Sequence, residues 1–164
     1  MGYTGSVKTP AKALRVIILA ALALVAAVSC RTMNDAQVAE LAARTASEAD
    51  AGDVDALVGG SGAPFLFETE ILASPALLEA LWSGLAASGY SLAPRGEIVV
   101  MDVDAGTADR FSSSEEVRLW FEHRLPGTAA LAVYPVDDGR VLLIIDRDKD
   151  QAAPLRGLKV EQGS

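Results

Sequence analysis

The 164-residue sequence has one cysteine, one histidine and only 5% aromatic residues. A lone thiol rules out an internal disulfide, and one histidine beside one cysteine is too little for a conventional zinc site. No acidic side chain precedes Cys30, where Lys8, Lys12 and Arg15 are the only charged groups. Residues 30–164 carry 11 basic against 22 acidic side chains. Such a surface repels phosphate backbones and anionic lipid, which argues against nucleic acid as a partner and against electrostatic membrane docking.

Long apolar runs are also missing, with one exception. From Val16 to Val28 every residue is Val, Ile, Leu or Ala. These thirteen residues as a helix would cover about 20 Å, short of the ~30 Å of a bilayer's hydrocarbon core. A basic stretch, a short apolar core and small residues thereafter have the three parts of an export signal.

The core ends in Ala27-Val28-Ser29-Cys30. This resembles the lipobox of bacterial lipoprotein precursors, although Ala27 stands where leucine is usual. The resemblance implies that Cys30 receives diacylglycerol, that residues 1–29 are removed as signal peptide, and that residues 30–33 become a lipidated N-terminus and short tether. Two acyl chains hold a protein on a bilayer where one would not. An ordinary signal peptide cut nearby, or an uncleaved anchor, is the alternative. Arg31, where Asp would favour inner-membrane retention, points to the periplasmic face of the outer membrane in an organism with two membranes.

The remaining chain, residues 34–160, is long enough for one domain, with 161–164 expected to fray. Val38, Leu41, Ala42 and Ala46 recur at helical spacing over Met33–Ala49, with Asn34 or Asp35 as N-cap. A short helical piece over Asp53–Val58 is expected to break at Gly59-Gly60-Ser61-Gly62, a loop without the features of a phosphate cradle. Alternation over Phe65–Leu72 predicts one strand. Ser74-Pro75 opens a helix with Leu77, Leu78, Leu81, Trp82 and Leu85 as its buried stripe, ending at Gly89.

A strand follows over Glu97–Val103. Ser113 and Glu116 have capping-box spacing before a helix that closes at Pro126-Gly127. Asp138-Gly139 lies between the apolar runs Ala129–Tyr134 and Arg140–Asp146, a hairpin signal, and Leu155–Val160 adds a last short strand. The pattern predicts an α+β domain, with N-terminal helices packed on a curved, mainly antiparallel sheet.

Few residues invite chemistry. Asp146, Asp148 and Asp150 alternate like the start of an EF-hand, but Gln151 and Gly157 stand where Gly and Glu are required, so a solvated acidic turn is expected. Asp102 and Asp104 pose the same question. Glu68 and Glu70 on one strand face would form an acid–base pair if that face lined a cavity, and ordinary surface charge otherwise. His123, near a helix end, is either a surface residue or a lone catalytic candidate. Trp82 and Trp120 lie on helix faces made of Leu, Val and Phe and are expected in the core. No cofactor and no metal is implied.

Ala51-Gly52-Asp53-Val54-Asp55-Ala56-Leu57, Pro64-Phe65-Leu66-Phe67 and the terminal hairpin followed by Leu155-Arg156-Gly157-Leu158-Lys159 resemble the NTF2-like (SnoaL-like) cone-shaped fold. Its members include isomerases and dehydratases with Asp/His pairs, and many non-catalytic binders. No such pair falls on matching positions here, and the helix after Ser113 departs from the usual run of hairpins. The expectation is therefore a membrane-anchored envelope lipoprotein whose non-catalytic domain binds a protein or small apolar ligand. The alternative is a small NTF2-like enzyme acting on an exported substrate, with Glu68, Glu70 or His123 as acid–base groups.

Overall fold

A computed structural model describes residues 31–163. Residues 1–30, with the expected leader and Cys30, lie outside them. The chain divides into two units at Thr32/Met33. Of the first, only Arg31 and Thr32 are described, and the second is the subject here.

The second unit begins with α1 (Asp35–Ala51), capped by Asn34 in a reciprocal capping box with Gln37. Then come α2 (Val54–Gly60), β1 (Ser61–Phe67), β2 (Glu70–Leu72), α3 (Pro75–Ser88) and β3 (Val99–Asp102). Next are α4 (Ala105–Phe111), α5 (Glu115–His123), β4 (Ala129–Val136), β5 (Gly139–Asp146) and β6 (Leu155–Gln162). The strands form one open six-stranded sheet in the order β2-β1-β6-β5-β4-β3. All neighbours are antiparallel except β1 and β6, which run parallel. The class is α+β, as expected. Among the described residues no helix is long and apolar enough to cross a membrane.

The N-terminal helices pack on the sheet as expected, and two later helices cover its opposite face. Helices α1, α2 and α3 cover one face through Val38, Leu41, Leu57, Leu78 and Trp82, packed on Phe65, Tyr134, Leu143 and Leu158. The opposite face carries its own smaller core, in which Phe111 of α4 and Val117 and Trp120 of α5 meet Leu66, Leu131, Leu142 and Ile144. Central strands are therefore apolar on both sides, and β5 is buried from Val141 to Asp146. That two-sided burial explains why its sequence does not alternate.

Several boundaries are corrected. The expected single strand over Phe65–Leu72 is a hairpin, β1 turning into β2 at Glu68-Thr69, with Phe67 opposite Glu70. The glycine cluster is not a loop: Gly59 and Gly60 finish α2, and Ser61 and Gly62 start β1. A Cβ on Gly62 would meet the Arg156 guanidinium, so a larger residue there would push that side chain aside. In α3, Leu77 is exposed and only Leu78 and Trp82 are fully buried. Ser114, not Ser113, caps α5 and accepts from the Val117 N–H.

Helix α4 has no counterpart in the expected elements. It is capped by Asp104, whose carboxylate accepts from the Thr107 N–H at 2.9 Å. The residues after Val160 do not fray up to Gln162: β6 remains paired with β5 there, Gln162 opposite Gly139. The β4–β5 hairpin turns at Asp137-Asp138 as expected, with Gly139 at φ +156°, a region that disfavours other residues.

Candidate functional site

Two open grooves lie on opposite faces of the sheet. The larger, ≈ 1170 Å³, sits where the end of α3 overhangs the sheet, and is lined by Phe67, Glu68, Leu85, Tyr90, Asp138 and Val160 among others. The smaller, ≈ 690 Å³, runs between α5 and the β1–β2 hairpin.

Glu68 is the one acid–base candidate that reaches the larger groove. Its backbone sits at φ +54°, the only non-glycine residue at positive φ among the described residues. The reason is visible in the ladder. The Glu68 N–H donates to the Leu158 carbonyl at 2.9 Å, continuing the β1–β6 pairing by one step. The chain then turns away, and the Val160 N–H donates to Glu68 Oε1 at 2.8 Å. The carboxylate thus stands where the next carbonyl of a longer β1 would be, and closes the exposed edge of β6.

Around it the groove is acidic. Asp137 and Asp138 form the hairpin tip, and no lysine or arginine lines the groove among the described residues. Asp137 is clasped by Arg95 through two bonds of 2.7 and 2.8 Å, which hold its carboxyl below the usual carboxylate range. The Tyr90 hydroxyl is shielded from solvent and has no hydrogen-bond partner. Burial, then the charges of Asp138, Asp137 and Glu68, raise its pKa and keep the phenol protonated. A protonated phenol can donate to a ligand oxygen but is a poor base.

The other candidates lie apart. Glu70 is exposed on β2, paired opposite Phe67, so Glu68 and Glu70 do not share a strand face. The His123 side chain is 69% exposed at the end of α5, 4.0 Å from Glu122, on the rim of the smaller groove. The structure does not bring the three together.

The acidic turn is built differently from a solvated loop. Asp146 is 1% exposed. Its Oδ1 accepts from the Thr128 hydroxyl at 2.8 Å and the Asp148 N–H at 3.0 Å, and Oδ2 meets Arg156 at 3.4 Å. Asp148 in turn accepts from the Asp150 N–H. These carboxylates fold the chain upon itself. Asp104 is likewise engaged as the α4 cap, and Asp102 pairs with Arg147. Among the described residues no group of three or more His, Cys, Asp or Glu could hold a metal ion.

The smaller groove is lined by Pro64, Ile71 and Ala73 on one side and by Glu116, Leu119, Trp120, His123 and Arg124 on the other. Trp120 is only 3% exposed, yet its Nε1–H has no acceptor. Sequence reasoning placed Trp120 in the core correctly but missed its place in a groove wall, because β1–β2 reaches it from more than forty residues away.

Fold and site together define an open-sheet α+β domain with a surface groove on each face. No family model, curated protein or solved structure matches the chain, so its function is argued from this geometry.

Proposed function

We propose that the chain is an exported protein anchored to the cell envelope through lipid on Cys30, with a non-catalytic domain that binds a protein or small ligand. The observation that carries the binding reading is the separation of the acid–base candidates. Glu68 is committed to the Val160 N–H, while Glu70 and His123 are exposed elsewhere. Catalysis by such groups needs convergence on one substrate position, whereas open grooves lined by apolar and a few polar groups suit recognition.

The NTF2-like enzyme alternative draws less support. An open sheet with helices on both faces offers no single enclosed interior for an acid–base pair.

The anchoring reading rests on the leader, on Ala27-Val28-Ser29-Cys30 and on the absence of a second cysteine. Folded structure follows closely: the Met33 N–H donates to the Arg147 carbonyl at 2.7 Å, and Asn34 caps α1. Three residues of tether reach about 10 Å when extended, which keeps the domain at the bilayer surface. Arg31 favours the outer membrane where there are two.

Metabolic labelling with a palmitate analogue tests the anchor. Labelled protein in the membrane fraction is expected for the native chain and no label for Cys30→Ala. Equal labelling of both would overturn the anchor. Affinity purification from the native envelope tests the binding reading, with a stoichiometric partner or ligand as the expected result.

A further inference from the structure

The smaller groove has the makings of a site for an amphiphile. Along α5, Glu116, Leu119, Trp120, His123 and Arg124 fall at helical spacing and present one stripe to Pro64, Ile71 and Ala73 of the β1–β2 hairpin and the residue after it. The middle is apolar, and Leu119 is 43% exposed there. The ends differ in charge. Glu116 lies seven residues before His123, about 10 Å along the helix, so one end is acidic while the other offers the Arg124 guanidinium, next to a His123 imidazole that faces Glu122 at 4.0 Å.

Trp120, which lines this groove, is only 3% exposed, and its Nε1–H is unpartnered. A buried indole usually finds an acceptor, and one left without is costly. Trp82, the other tryptophan, has one in Ser61 Oγ at 3.0 Å.

We propose that this groove binds a single-chain amphiphile with an anionic head, of the fatty-acid class. The apolar stripe takes the chain. Arg124 takes the carboxylate, a complementary charge on a domain that is otherwise strongly acidic. Glu116 repels a head group placed the other way round and so fixes one orientation. A small shift of the Trp120 indole, which lines the groove, would give its N–H an acceptor on the ligand. The volume, ≈ 690 Å³, is within the usual range for small-molecule sites. This deepens the binding reading above and rests on it.

The test titrates the purified full chain with dodecanoate, dodecanol and dodecyltrimethylammonium, each below its aggregation limit, reading tryptophan emission and calorimetry. Dodecanoate is expected to bind saturably and dodecanol more weakly, with no saturable binding of the cation. Shortening the acid to decanoate should weaken binding several-fold. Arg124→Ala should weaken dodecanoate about fivefold and leave dodecanol unchanged, the upper range for an exposed ion pair. Leu119→Glu should weaken both more than tenfold, and both positions are exposed enough to spare the fold.

Equal binding of acid and cation, indifference to both substitutions, or absence of saturable binding would overturn the proposal. So would a dimer that Leu119→Glu dissociates, since a second copy would then be the occupant. Such failures leave envelope capture of another partner possible, so the broader binding reading fails only if that experiment also returns nothing.

Discussion

The two tryptophans mark two faces built to different standards. On the three-helix face, Trp82 is fully buried, donates to Ser61 Oγ and meets the Phe65 ring edge-on at 6.2 Å. Ser61 passes the bond on to the Leu57 carbonyl at 2.7 Å, so α2, β1 and α3 are locked at one junction. On the opposite face, two short helices cover the sheet. There Trp120 packs against Phe121 but keeps an unpaired N–H beside an open groove. Similar burial thus comes with different satisfaction: the first face pairs its indole, and the second tolerates a local cost next to an open groove.

Trp82→Ala gives the largest expected effect. Truncation in a closed core should cost about 3–5 kcal/mol, enough to unfold a marginal domain, with urea denaturation as the measurement. Trp120→Ala should cost about 1–2 kcal/mol less, because its space opens to the groove and an unsatisfied donor leaves with it. Equal costs would erase the contrast between the faces. Ser61→Ala is next: it strands the Trp82 N–H and should cost about 1–3 kcal/mol in the same assay. Glu68→Ala should cost about 1 kcal/mol by uncovering the Val160 N–H, which can still recruit water. Faster hydrogen exchange at Val160 would be its local signature, and unchanged exchange would remove the edge-capping role.

What was legible in the sequence was local. Ser74-Pro75 and Gly89 bracket α3, and the Asp138-Gly139 signal marks the β4–β5 hairpin, whose turn is Asp137-Asp138, because each signal acts through a few neighbouring residues. The β1–β2 turn was hidden because Glu68-Thr69 continues an alternating pattern with no Gly, Asn or Pro. Helix α4 was missed for a related reason: at seven residues it has little periodicity, and its best signal, Asp104 three residues before Thr107, looked like half of an acidic pair. The reading of Gly59–Gly62 as a loop fails for a tertiary reason, since β1 starts where Ser61 pairs with Leu155 of the distant β6. Parallel β1–β6 pairing and both grooves join residues from distant segments, so neither Tyr90 nor the groove role of Trp120 could be found by spacing alone.

The smallest expected effect isolates one atom. Trp120→Phe keeps most of the aromatic packing against Val117, Phe111 and Leu131 in that core but removes the unpaired N–H. Loss of ring volume destabilises, and loss of an unsatisfied buried donor stabilises by about 1 kcal/mol or more, so the net change should lie within about 1 kcal/mol of zero. The matching change on the other face, Trp82→Phe, loses volume and a made bond together and leaves Ser61 Oγ without its donor. It should therefore be the more destabilising of the pair by about 1–2 kcal/mol. Chemical denaturation of the two variants side by side gives that difference directly. A cost for Trp120→Phe equal to that for Trp82→Phe would mean that the Trp120 N–H has a partner in solution, and the distinction between the faces would then rest on helix coverage alone.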